Sequence, residues 1–377
     1  MIAAARPVQR PRDARLLVVD GRGALLQASR ASLVEYLRQG DLVVANDAAT
    51  LPASLHGVHV PSGAPIEVRL AGRSSLRRDD LRFSAVAFGA GDWRTRTEVR
   101  PPPPALAPGE RLALGPLAAS IGALLGHPRL VALRFEGSAD AVWAGIARHG
   151  LPIQYAYLSE ALALWDVWTP IAAVPVAFEP PSAGFALDWS TLAAMRSRGI
   201  GFASLTLATG ISSTGDPALD ARLPLDEAYR IPESTASAIR RAKAEGGRIA
   251  AIGTTVVRAL EHAAARTGAT AAGEGVANQR IDARTRLRVV DAILSGTHDP
   301  HDSHYQLLRA FQDDATLSRA SAALETGGFR THEFGDSVLI ERKVGEAQRC
   351  SYDRGVPLPA NLPGAPDGRQ RGKTRSP

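Results

Sequence analysis

The sequence predicts an α/β protein: a mixed sheet flanked by helices, with a small antiparallel β-barrel inserted into it. Three observations lead there. In residues 1–57 and 138–343, short β-branched runs alternate with stretches of helical periodicity, which is the signature of a sheet with crossover helices. Residues 58–137 break that rhythm with period-two segments and no long helix, which is how an inserted barrel reads. Within the α/β part, the run Arg248–Ile252 ends in Gly253-Thr254-Thr255 and passes directly into a helical pattern. Such a corner presents free backbone N–H groups and a helix dipole to a ligand.

From the N-terminus, Leu16–Val19 reads as a strand, Gly21–Gly23 as a turn, and Ser32–Arg38 as a short helix closed by Gly40. Asp41–Asp47 is a second strand with Asn46 and Asp47 at its carboxyl end, the end at which open α/β sheets bind ligands. Ile66–Leu70 and Arg82–Phe88 alternate apolar and polar residues; Pro101–Pro104 is an extended connector and Leu130–Phe135 another barrel strand. Ser138–His149 is a helix with Ser138 as N-cap and Gly150 after its end. Ser190–Arg198 is helical, Phe202–Leu207 a strand, Ser234–Glu245 a helix, Arg248–Ile252 a strand and Thr254–Arg266 a long helix. Gly268–Asn278 reads as a flexible loop. Arg286–Leu294, Asp302–Phe311, Thr316–Thr326 and Ser337–Glu341 read as strand, helix, helix, strand. Residues 344–377 are rich in Pro, Gly and Arg and are expected to be a disordered tail.

Composition narrows the class. A chain of 377 residues with 45% hydrophobic content can bury a large core and exceeds one average domain. One cysteine, Cys350, excludes an internal disulfide framework and fits a reducing cytoplasm. Met1–Pro7 has no apolar run of leader length, and no window reaches the length of a membrane helix, so a cytoplasmic protein with no membrane partner is expected. The net charge of +6 suits a polyanionic partner such as RNA, although aromatics are only 5% and no RNA-binding motif stands out. Oligomeric state cannot be read.

Six polar clusters fall at element ends, where function concentrates. They are Asn46-Asp47; Pro181 to Gly184 with Ser182 and Ala183; Thr209 to Gly215 with Gly210; Asp226 to Pro232 with Glu227 and Tyr229; Gly253-Thr254-Thr255 with Arg258 and Glu261 further along the helix; and Phe334-Gly335-Asp336. A seventh, His298 to His304, packs three imidazoles and two carboxylates into one loop. Its spacing matches no metal motif of known geometry, so no metal is expected.

Taken in this order, the clusters resemble the S-adenosylmethionine:tRNA ribosyltransferase-isomerase family of queuosine biosynthesis. The resemblance runs from Pro11–Val18 through Gly40–Asp47 and Leu51–Gly57 to Pro181–Gly184, Glu227–Tyr229, Gly246–Glu261 and Phe334–Ile340, roughly residues 8–341. It implies an α/β domain carrying an inserted barrel. It implies S-adenosylmethionine as a ribosyl donor, tRNA as partner, and transfer to a 7-aminomethyl-7-deazaguanine with release of adenine and methionine. Such chemistry needs a base beside the carbon next to the sulfonium. Glu227 and Asp47 are the expected base candidates, and Arg258 is expected to hold the methionine carboxylate or a phosphate. Asn46, Ser182, Ala183, Gly184, Gly210, Tyr229, Gly253, Thr254, Thr255, Glu261 and Asp336 are expected to bind substrate.

The chain departs from the family in pocket strings. Asn-Asp-Thr-Arg becomes Asn46-Asp47-Ala48-Ala49, and Pro-Thr-Ala-Gly-Leu-His-Phe becomes Pro181 to Leu187 with Ala186 at the histidine position. Leu-His-Val-Gly-Ala-Gly-Thr-Phe becomes Leu207 to Thr214. The reading is therefore a divergent member. Its rivals are the same scaffold with a small-molecule acceptor, a non-catalytic tRNA- or nucleotide-binding paralogue, and a metal-dependent hydrolase using the His298–His304 loop.

Overall fold

The computed structural model describes residues 1–268, 270–300 and 302–344. The expected tail from 345 onward, Cys350 and His301 lie outside the described residues.

β-branched and leucine-rich runs build one nine-stranded mixed sheet. Its strand order is Gly273–Ala277, Glu227–Ile231, Gly201–Leu207, Leu42–Asn46, Ile249–Ile252, Ala292–Gly296, Ser337–Glu341, Arg15–Val19 and Leu25–Ser29. Gly201–Leu207, Leu42–Asn46, Ile249–Ile252 and Ala292–Gly296 are parallel neighbours. Glu227–Ile231 and Ser337–Glu341 flank this block antiparallel to it. As a result, the carboxyl ends of four parallel strands and the amino ends of two antiparallel ones open on the same edge of the sheet.

Strand alternation sends successive side chains into two different cores. Leu17, Val19, Val44, Ile249 and Ala251 join the core under helices Glu233–Ala244, Thr254–Thr267 and Asp314–Thr326. Leu16, Val18, Val43, Ala45, Ala250 and Ile252 face the opposite side, where Leu33, Val34, Leu187 and Met195 cover them. Both faces are sealed, as parallel strands require.

The barrel is closed, with six antiparallel strands in the order Leu117–His127, Leu130–Phe135, Arg82–Phe88, Pro65–Gly72, Ser54–His59 and Arg111–Leu114. Its strands begin at Ser54, earlier than Val58. Its interior is filled by Val68, Leu70, Phe83, Leu112, Leu133 and Phe135, which share one face of the ladder, so it is a packed core. Phe178, directly after the short strand Val174–Ala177, meets Phe83 edge to face at 6.1 Å between ring centroids. A bridge between Arg73 and Glu227 ties the end of one barrel strand to the edge of the large sheet.

Four element readings change. The segment expected as a loop, Gly268–Asn278, contains the strand Gly273–Ala277, paired with Glu227–Ile231. Its glycines hid it, and one is needed: a Cβ on Gly275 would lie 2.5 Å from Tyr229 Oη. The expected strand Arg286–Leu294 is a strand only over Ala292–Gly296, because the amides of Arg288, Val289 and Val290 bond to the Glu261 carboxylate and not to a neighbouring strand. The helices expected at Ser32–Arg38 and Asp302–Phe311 are a 3-10 helix over Arg30–Tyr36 and a short α-helix over Ser303–Leu308. Among the described residues, no helix is long and apolar enough to cross a membrane.

Candidate active site

The loops and helix starts that leave each strand at the shared edge build the site. After Ile249–Ile252, Gly253 takes φ +92°, a left-handed angle that glycine adopts without steric cost, and helix Thr254–Thr267 begins at once. After Gly201–Leu207 come Thr209 and Gly210, and after Ala292–Gly296 come Thr297, His298 and Asp299. Glu227 opens its strand from the same edge, and His332 and Glu333 precede Ser337–Glu341. Together with Glu179, Ser182 and Ala183 these residues line a cavity of about 440 Å³. That volume suits a small molecule the size of a nucleoside.

Glu227 is buried, accepts from the Gly210 N–H at 2.8 Å and pairs with Arg258. Burial pushes its carboxyl above the usual range, and the charge of Arg258 opposes that without cancelling it. Arg258 also donates to the carbonyl oxygens of Ala277 at 2.7 Å and Leu225 at 3.3 Å. Its two terminal nitrogens are therefore held by the protein, while its buried Nε has no hydrogen-bond partner. Thr255 is 7% exposed and lines the cavity, and its hydroxyl has no hydrogen-bond partner. The helix dipole, the first-turn amides and this hydroxyl form an anion-seeking corner.

Eight expected site residues meet at the cavity: Ser182, Ala183, Gly210, Glu227, Gly253, Thr254, Thr255 and Arg258. The other six are placed elsewhere. Asp47 gives its carboxylate to Ser204 Oγ at 2.9 Å and Thr206 Oγ1 at 2.7 Å and does not line the cavity, so it is not placed to take a proton from a ligand there. Asn46 staples the loop after the neighbouring strand: it donates to the Leu207 carbonyl at 3.0 Å and to Thr209 Oγ1 at 3.2 Å. Gly184 is buried in the turn Ser182–Ala186. The Tyr229 ring lies in the core and its hydroxyl meets His262 Nδ1 at 2.9 Å. Glu261 anchors three backbone amides, and Asp336 pairs with Arg15 and Arg330. These six shape the scaffold around the cavity.

Sequence reasoning missed the opposite wall. Glu179 is 5% exposed and accepts from the Ser212 N–H at 2.8 Å, with Tyr155 Oη beside its other oxygen. Glu333 accepts from Tyr157. His332 holds φ +70°, the one non-glycine residue with positive φ among the described residues, and its ring stacks on Tyr157 with centroids 4.1 Å apart. Strained backbone of this kind costs about 1–3 kcal/mol and clusters at functional sites. The one signal for Glu179 was its place directly before Pro180-Pro181-Ser182; for Glu333 it was adjacency to Phe334-Gly335-Asp336.

The histidine loop forms part of the same cavity. His298 Nε2 lies 2.9 Å from Ser295 Oγ, and its ring centroid is 4.7 Å from that of His304. Removal from water holds His304 down at about 4, with Arg258 adding to the effect, and holds His298 well below the ordinary imidazole range. Both are neutral at physiological pH. Among the described residues, no group of three or more His, Cys, Asp or Glu is arranged to hold a metal.

A sheet-edge cavity with an anion-seeking corner facing buried carboxyls defines an α/β enzyme acting on a small polar molecule. Residues 1–340 match the family model described as "Queuosine biosynthesis protein". The S-adenosylmethionine:tRNA ribosyltransferase-isomerase of Sorangium cellulosum is 34% identical over 364 residues, covering 90% of this chain and 95% of that one. The protein of the same name from Citrifermentans bemidjiense is 34% identical over 347 residues, covering 90% and 96%. A solved S-adenosylmethionine tRNA ribosyltransferase from Thermotoga maritima is 23% identical, covers 90% of this chain and 96% of that one, and has a TM-score of 0.47. The chain belongs to the queuosine biosynthesis protein family.

Proposed function

We propose that this enzyme transfers the ribosyl part of S-adenosylmethionine to a 7-aminomethyl-7-deazaguanine in tRNA, with release of adenine and methionine. The supporting observation is the cavity at the carboxyl ends of the parallel strands, in a chain whose relatives are named S-adenosylmethionine:tRNA ribosyltransferase-isomerase. Glu227 takes the role of base. It lines the cavity, and its burial raises the proton affinity of its carboxylate, which favours abstraction of a weakly acidic C–H proton next to a sulfonium. Arg258 acts on Glu227, fixing the orientation of its carboxylate. Ser182, Ala183, Gly210 and the Gly253-Thr254-Thr255 corner form the binding surface, with the Thr254 and Thr255 amides and the unpartnered Thr255 hydroxyl receiving the methionine carboxylate. The net charge of +6 supports a polyanionic acceptor, and a reaction on tRNA suits the cytoplasm.

The test is nucleoside analysis of tRNA. Transcripts carrying 7-aminomethyl-7-deazaguanine are incubated with the protein and S-adenosylmethionine, digested, and weighed by mass spectrometry. The expected product nucleoside carries the unit derived from the ribosyl part of S-adenosylmethionine on its aminomethyl group. Unaltered tRNA from an incubation in which adenine nevertheless accumulates points instead to abortive cleavage of the donor or to an acceptor other than tRNA.

A further inference from the structure

Six carboxyls are buried among the described residues: Asp41, Glu67, Glu179, Glu227, Glu261 and Asp336. Four of them have arginine partners: Asp41 pairs with Arg248, Glu67 with Arg69 and Arg100, Glu227 with Arg258, and Asp336 with Arg15 and Arg330. Glu261 accepts three backbone N–H groups. Glu179 has neither arrangement, only one amide and one phenol. A buried carboxylate without a counter-ion either binds a proton or waits for a cation.

The hydrogen count points to the proton. Tyr155 Oη sits 2.5 Å from Glu179 Oε1 and 2.8 Å from the Ser213 carbonyl oxygen. A phenol has one hydrogen, and a carbonyl oxygen can only accept. Both contacts are filled when Tyr155 donates to Ser213 and a protonated Glu179 donates to Tyr155. Glu333 lines the same wall, and its charge acts on Glu179. Burial first, and Glu333 second, push the Glu179 carboxyl up to about 7 against the hydrogen bonds from Tyr155 and Ser212. The same cavity carries a second, independent sign of a ligand in the unpartnered Thr255 hydroxyl, and the two walls approach closely: a Cβ on Gly253 would lie 3.6 Å from Ala183 Cβ.

We infer that Glu179 and Glu333 form the cation-binding pole of the cavity, and that Glu179 releases a proton when a cationic ligand group, the sulfonium or the ammonium of S-adenosylmethionine, settles beside the two carboxylates. This rests on the proposed function for the identity of the ligand. The step balances: the Glu179 O–H breaks, its proton passes to solvent, Tyr155 turns its hydrogen from Ser213 to the new carboxylate, and the ligand supplies the positive charge that the proton carried. The cavity thereby has two poles, with the Thr254–Thr255 corner for the carboxylate and Glu179–Glu333 for the cation.

Calorimetry tests this. S-adenosylmethionine is titrated into the wild-type protein and into Glu179→Gln at about pH 6.5, in phosphate and in Tris, whose different ionisation enthalpies report proton release. The wild type is expected to release most of one proton per ligand bound and to gain roughly fivefold in affinity between about pH 6 and pH 7. E179Q is expected to release none and to show a flat affinity. S-adenosylhomocysteine, whose sulfur is neutral, separates the sources: release with both ligands assigns the ammonium, and release with S-adenosylmethionine alone assigns the sulfonium. Binding without proton release in the wild type, or equal release by E179Q, overturns the inference.

A ligand-free measurement keeps the question open to decision if S-adenosylmethionine does not bind at all, which would sink the functional reading. With its carboxyl raised in the fold, Glu179 destabilises the protein above about pH 7 and not at low pH. The stability of the wild type relative to E179Q must therefore decline as pH rises from about 4.5 to about 7 and level off above. A constant difference shows that Glu179 carries no proton in the free protein.

Discussion

Arg258 ties Glu227 to the scaffold: one guanidinium nitrogen donates to the Glu227 carboxylate and the other to the Ala277 carbonyl, linking helix Thr254–Thr267 to the edge strand of the sheet and its neighbour. The pair is buried on both sides, with side chains 4% and 5% exposed. Removing the charge of either partner strands the other, which typically costs about 3–5 kcal/mol, although Glu227→Gln keeps the shape of the site. Arg258→Ala is expected to lose about 3 kcal/mol or more of stability in denaturant titration. Glu227→Gln is expected to fold and to release adenine at least about a hundredfold more slowly, the scale of a lost general base. Normal turnover by E227Q would remove Glu227 from the chemistry.

Asp47 provides the contrast. Its carboxylate accepts from Ser204 and Thr206 on the neighbouring strand and does not reach the cavity. Asp47→Ala is expected to lower stability by about 1–3 kcal/mol while the adenine-release rate of the folded enzyme stays within about threefold of wild type. A catalytic collapse of D47A in a folded protein would reopen its role as base.

The Thr255 hydroxyl is buried and unsatisfied in the free protein. Thr255→Val should therefore leave stability unchanged or slightly improved, since an unpaired polar group is replaced by an apolar one of the same shape. Affinity for S-adenosylmethionine should fall by about tenfold, the worth of one hydrogen bond to a charged group. Thermal unfolding and equilibrium dialysis on the same sample separate the two effects. Unchanged affinity would mean that the carboxylate binds elsewhere.

The barrel has its own pH dependence. Burial raises the Glu67 carboxyl, but Arg69 and Arg100 overrule it and hold it at about 2. A depressed carboxyl contributes stability that is complete above its unfolded value of 4.5 and is lost as pH falls toward 2. The contribution is about 3 kcal/mol. Acid unfolding of the wild type should thus steepen below about pH 4.5, and Glu67→Gln should be less stable near neutrality and flatter in that range. An identical acid profile for the variant would contradict this account of the barrel core.

How far the sequence could be read depended on whether local chemistry or the neighbouring strand decides a residue's fate. Leu42–Asn46 and Ile249–Ile252 declare themselves because a strand buried on both faces is apolar along nearly its whole length. Gly273–Ala277 does not, since its Gly275 answers the bulk of Tyr229 across the ladder and not a strand propensity of its own. The Gly253-Thr254-Thr255 corner is legible because a left-handed residue before a helix start calls for glycine. The direction of Asp47 was hidden, because it depends on hydroxyls at Ser204 and Thr206, far away in the chain. Glu179 was hidden for a related reason: a single glutamate before two prolines has no periodic signature, and only the fold shows that no Arg or Lys among the described residues pairs with it.

The most direct measurement of the central claim is free adenine released from S-adenosylmethionine by the purified enzyme, with and without tRNA bearing 7-aminomethyl-7-deazaguanine. The account predicts adenine formed in step with modified tRNA, and none when that tRNA is left out. No adenine in the complete mixture, from protein shown to bind S-adenosylmethionine, would contradict it.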